Sequence, residues 1–85
     1  MVQDREFSVD MDRAIKEFAR GEMAYNALEW ALAHDPQIGT HRKGRFWIYS
    51  QSGDKTVRKP DLTVLYSFTD DEVTLHAVVT RTAAK

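Results

Sequence analysis

At 85 residues with no cysteine and a net charge of −1, the chain reads as a single domain, 1–85, without disulfides, thiolate zinc sites or cysteine nucleophiles. The charge is uneven: residues 1–35 carry four basic and eight acidic side chains, a balance of −4, whereas 41–59 set Arg42, Lys43, Arg45, Lys55, Arg58 and Lys59 against Asp54 alone, a balance of +5. The start is charged from its fourth residue and no run reaches the roughly 18 apolar residues of a membrane span, so the expectation is a soluble, cytoplasmic protein with no membrane partner.

Residues 3–9, QDREFSV, alternate Phe7 and Val9 with Glu6 and Ser8. The alternation predicts a short first strand at an edge. From Asp10 the period changes to 3.6, with Met11, Ala14, Ile15, Phe18 and Ala19 on one face, so a helix of about ten residues is expected with Asp10 as its N-cap. Gly21 stands where a left-handed helix terminator is expected. A second helix over 22–35 follows, with Met23, Ala24, Tyr25, Ala27, Leu28, Trp30, Ala31, Leu32 and Ala33 covering more than half of its circumference. Asp35-Pro36 ends it, because the residue before proline is pushed out of the helical region.

Residues 36–44 read as a loop, and 45–50 as a strand apolar on both faces, with Phe46 and Ile48 against Trp47 and Tyr49; such a strand is usually central or roofed by a helix. The tract 51–59 fits a hairpin arm or a basic loop, and Pro60 bars an uninterrupted run into the next strand. Leu62, Val64, Tyr66 and Phe68, then Val73, Leu75, Ala77 and Val79 across the turn Thr69-Asp70-Asp71-Glu72, predict a β-hairpin with one core face. Arg81 shares the second parity, which places it at the end of that apolar row.

The residues that suggest chemistry are cations and aromatics. Arginine and lysine hold phosphate by charge and hydrogen bonds, and Trp47 or Tyr49 would stack on a base if exposed and would fill the space between sheet and helices if not. His34, His41 and His76 lie far apart in sequence and no HExxH spacing occurs, so neither a metal site nor a cofactor is expected. His76, between Thr74 and Val78, reads as a hydrogen-bonded structural histidine.

Three features together carry a family resemblance: the helix end ALEWALAHDPQIG at 27–39, the run LTVLYSFTDDEVTLHAVV at 62–79, and the closing Arg81. With these the chain resembles the RelE/ParE superfamily, the toxins of bacterial toxin–antitoxin pairs. The resemblance implies an α+β fold, β-α-α-β-β-β, with two antiparallel helices packed on a three- to four-stranded antiparallel sheet. It implies either metal-independent mRNA cleavage at the ribosome or action on DNA gyrase. Arg81 matches the basic residue after the last strand, and Arg58, or else Lys55, would supply the second basic group as a catalytic pair, with Arg42, Lys43, Arg45, Lys55 and Lys59 as nucleic-acid-binding residues. This chain has Leu62-Thr63 where many RelE-type sequences carry arginine, and no tyrosine or histidine follows Arg81. A general base and acid would then come from His41, His76, Tyr49 or Lys55. The alternative is a nonenzymatic nucleic-acid- or protein-binding domain on a degenerate toxin scaffold. The resemblance also implies an antitoxin as partner, and the apolar side chains Met23, Tyr25, Trp30 and Leu32 suggest a surface for it or for a homodimer.

Overall fold

A computed structural model describes residues 1–83. The elements run β1 (Val2–Gln3), α1 (Arg5–Glu17), α2 (Gly21–His34), β2 (Thr40–His41), β3 (Trp47–Gln51), β4 (Asp61–Phe68) and β5 (Val73–Arg81), with a single turn of 3₁₀ helix at Lys55–Val57. The fold is α+β: two helices pack on one face of a five-stranded sheet ordered β1-β5-β4-β3-β2. The sheet is mixed, correcting the expectation of three or four antiparallel strands, because β1 pairs parallel to β5 while every other pair is antiparallel.

The first strand is shorter than its alternation suggests, and the helix begins earlier. Only Val2 and Gln3 join the sheet, and Asp4, not Asp10, stands at the N-cap of α1. Phe7, Met11 and Ala14 fall at i, i+4 and i+7 on the buried side of α1, so Phe7 belongs to the helical stripe. Val9, its supposed strand partner, is exposed. A five-residue alternation cannot be told from the start of a helix whose apolar residues happen to lie two apart.

Gly21 does not terminate α1 in the left-handed conformation; it opens α2 and is buried. A Cβ there would lie 2.7 Å from the Ala14 carbonyl oxygen and from Ile15 Cα, so glycine is required by the close approach of the two helices. Gly21, Ala24, Leu28 and Leu32 form the inner stripe of α2. Met23 and Trp30 are exposed, Tyr25 is half-buried, and Leu32 is fully covered.

The central pair is β4 and β5, as the alternation predicts, but its faces switch. Leu65 pairs with Ala77 and the adjacent Tyr66 pairs with Leu75, leaving His76 without a partner opposite. This is a β-bulge: one extra residue in β5 that reverses the parity of all that follows. Val73 and Leu75 face the helices, and so, beyond the bulge, does Val78, while Val79 is 56% exposed. Leu62, Val64 and Tyr66 supply the other strand's share of the core. Each of these large side chains contributes roughly 1.5–3 kcal/mol by its burial.

β3 lies one strand from the edge, flanked by the two-residue β2. Its pairing turns Trp47 and Tyr49 toward the helix side, where both pack against the core, and Ile48 toward the open face. The tract 51–59 forms no strand arm: Asp54 and Lys59 bridge by reciprocal 2.9 Å backbone hydrogen bonds around the 3₁₀ turn.

Tyr66 anchors the loop after α2. Its buried hydroxyl donates to the Pro36 carbonyl at 2.6 Å and accepts from the Gly39 amide at 3.2 Å. Burial raises its pKa above the usual tyrosine value. Tyr25, donating to Glu29 at 2.7 Å and accepting from Gln3, is pushed up to about 12 by burial and then by Glu29. Tyrosine is uncharged when protonated, so the stability these groups contribute is complete below about pH 10 and falls as pH rises through their folded values. Tyr66→Phe leaves a carbonyl and an amide without their partner in a part-buried site. It should therefore cost about 1–3 kcal/mol in urea denaturation and remove part of the alkaline loss of stability.

Candidate functional site

The cations separate into three places. Lys55, Arg58 and Lys59 line one cleft of about 430 Å³ with Glu17 and Phe18 from the end of α1 and Thr82 and Ala83 beyond β5. The local chain explains the clustering. Asp54 accepts from the Thr56 amide at 2.9 Å to start the 3₁₀ turn, and Arg58 closes it in the left-handed region at φ 58°. The Arg58 carbonyl then accepts from the Arg20 amide at 3.3 Å, pinning the turn to the junction between the helices.

Arg81 lies elsewhere. Because of the bulge it falls on the helix-free face, opposite Asp61 in register, and lines a groove of about 360 Å³ with Ser50, Gln51, Thr63 and Val79. The expected pair of Arg81 and Arg58 is thus not brought into one cleft, since the parity that would have set Arg81 on the core row is broken at His76. Arg42, Lys43 and Arg45 are exposed between β2 and β3. Arg45 lies with its guanidinium 5.3 Å from the centre of the Phe46 ring and lines a third cleft, of about 460 Å³, with Ser67, Phe68, Thr69, Asp71, Glu72 and Thr74. Trp47 and Tyr49, turned inward, do not offer an open stacking platform.

Of the groups named as possible base or acid, His41 bonds the Gly44 carbonyl at 2.6 Å and leans on Trp47, and Tyr49 packs on the core. His76 is the one held by two side chains. Its Nδ1 lies 2.7 Å from Asp4 Oδ2 and its Nε2 2.8 Å from Ser67 Oγ, while Phe46 meets its ring edge-on with centroids 5.3 Å apart. A carboxylate only accepts, so the proton sits on Nδ1; in the neutral ring Nε2 is then the acceptor and the Ser67 hydroxyl donates to it. Three elements build this line: the residue before α1, the bulge in β5, and β4. Asp4 is fixed by its amide donating to the Leu75 carbonyl at 2.8 Å, and its carboxylate, though at an N-cap, makes no cap hydrogen bond.

Ser67 and Asp4 were not legible as site residues. They lie 63 positions apart, and the bulge that aims His76 at both leaves no mark in the composition of β5. Compared with protein-family models, curated proteins and solved structures, the chain matches none of them. Among the described residues no group of three or more histidine, cysteine or acidic side chains is placed to hold a metal ion, and no helix is long and apolar enough to cross a membrane.

The separation of the cations has a measurable consequence. Titration with inorganic phosphate should shift the amide resonances of Phe18, Lys55, Lys59 and Thr82 together, with strong salt dependence, and leave those around Arg81 unchanged; concerted shifts at both places would show the two clefts acting as one.

Proposed function

We propose that this chain is a RelE/ParE-type toxin component, acting on translation through ribosome-dependent mRNA cleavage or on DNA gyrase, and held inactive by an antitoxin. The observation that carries the reading is the convergence of Lys55, Arg58 and Lys59 on one cleft beside the helix junction, a cationic surface suited to phosphate. The coarse layering, two helices on one face of a sheet, is compatible with this reading. The exposed Met23 and Trp30 on α2 suit an antitoxin segment laid across the helices. Induced expression in a bacterium lacking the antitoxin should arrest growth, and the double variant Lys55→Ala, Arg58→Ala should relieve the arrest. Unimpaired growth with abundant soluble protein would overturn the reading, and translation by purified ribosomes separates the two targets.

One observation favours a second reading, a nonenzymatic nucleic-acid-binding domain: Arg58 and Arg81 line different clefts. Binding of RNA without cleavage is then expected, with the slope of log K against log salt falling by about 1 for each phosphate contact removed by substitution. A cleaved product in the same mixture would reject it.

A further inference from the structure

We propose that Ser67, His76 and Asp4 form a nucleophilic triad that hydrolyses small carboxylic esters bound in the cleft between Arg45 and the β4–β5 turn. The connectivity is the one the chemistry needs: nucleophile oxygen to Nε2 at 2.8 Å, Nδ1 to carboxylate at 2.7 Å. The tautomer that the carboxylate imposes leaves Nε2 free to take the serine proton. Two further observations set the arrangement apart from an incidental polar contact. The bulge places His76 out of the ladder, and bulges re-aim side chains beside active sites. Asp4 gives up its ordinary role, accepting from first-turn amides, to hold the imidazole.

Ser67 is 8% exposed, and it lines the cleft of about 460 Å³, a size that suits a small ligand. Arg45 brings a cation to the same cleft, where it would stabilise negative charge on the substrate carbonyl oxygen, while the neighbouring Asp71 and Glu72 would disfavour an anionic substrate and leave an uncharged ester as the fitting one. In the first step Ser67 Oγ bonds to the carbonyl carbon while its proton passes to His76 Nε2 and the carbonyl electron pair moves onto oxygen. Collapse of that intermediate breaks the bond to the alkoxy oxygen, which leaves as the alcohol with the proton from His76. Water then attacks the acyl-serine through the same relay, releasing the carboxylic acid and restoring the hydroxyl. Asp4 touches no substrate; it is a positioning residue that fixes the ring and stabilises the imidazolium.

The test uses the full chain, a fluorophosphonate probe and p-nitrophenyl acetate. The expected result is a single covalent adduct, mapped by peptide mass spectrometry to Ser67, together with release of p-nitrophenol. Ser67→Ala abolishes both, and His76→Gln lowers the rate by about 10²-fold or more. Asp4→Asn lowers the labelling rate and changes its pH profile, an effect that a merely structural contact would not produce. Wild-type protein that is folded by circular dichroism yet takes no adduct overturns the proposal, as does an adduct on any other residue. In either case the three side chains serve as a polar pin between the start of α1, β4 and β5. Should Ser67→Ala fail to fold, the site of the wild-type adduct decides alone.

Discussion

The single extra residue in β5 governs more of this molecule than any other feature. With His76 unpaired opposite Leu65 and Tyr66, the strand delivers Val73 and Leu75 and then Val78 to the helices; without it, a strict alternation would have turned Ala77 and Val79 inward and Val78 out. The bulge also sends Arg81 to the open face and sets two consecutive side chains, His76 and Ala77, beside Leu65 there. A period of two has no memory for an insertion: one residue reverses every later side chain. The core tolerates the change because valine occupies both 78 and 79, so either parity finds an apolar residue of the same shape.

The same ambiguity explains what could and could not be read in the sequence. The β4–β5 hairpin, its acidic turn, the second helix with its stop at Asp35-Pro36, and the helix-on-sheet layering all follow from long, consistent patterns. The beginning of the chain did not follow, because Phe7 and Val9 fit a strand and Phe7, Met11 and Ala14 fit a helix equally well, and the deciding factor is tertiary. Parallel pairing of Val2 and Gln3 with Thr74 and Leu75 stops when the Asp4 amide reaches the Leu75 carbonyl, and the chain turns into α1 at once. Gly21 was legible as a residue with a special duty, but its duty is steric: the Ala14 carbonyl lies where a side chain would start. The basic tract was legible as charge, whereas its division between two clefts depends on the 3₁₀ turn and the separation of Arg81 from it on the bulge, neither of which has a periodic signature.

Polar anchors complete what apolar burial cannot do in so small a core. An 85-residue chain leaves a large part of its surface in water, so loops and edges need their own fastening. Tyr66 fastens the segment after α2 by taking one hydrogen bond from Gly39 and giving one to Pro36. Gln3 joins Ser8 of α1 to Tyr25 of α2 through the two ends of its amide, and Gln51 reaches from β3 to the Ala24 carbonyl at 2.9 Å. Each of these ties a strand or a loop to a helix or to the sheet across a gap that hydrophobic contacts alone would leave adjustable.

Against that background the line Asp4–His76–Ser67 stands out by its composition. The other anchors join uncharged amides, hydroxyls and carbonyls to one another, or set a single carboxylate against an uncharged donor, as Glu29 does with Tyr25 and Asp61 with the Gly53 amide. A fastening of β1 to β5 needs only the Asp4 amide and the Leu75 carbonyl, which are already joined at 2.8 Å. Adding a carboxylate and an imidazole on the open face puts two titratable groups where an apolar pair of similar volume would hold the strands at least as well, because an ionisable pair taken partly out of water must first recover its desolvation cost. The His76 side chain is only 15% exposed and that of Asp4 is 50% exposed, so the histidine bears most of that cost and the carboxylate little. What the arrangement gains over an apolar one is a fixed tautomer and a serine hydroxyl held by an acceptor, with the imidazole tied to both neighbours at once.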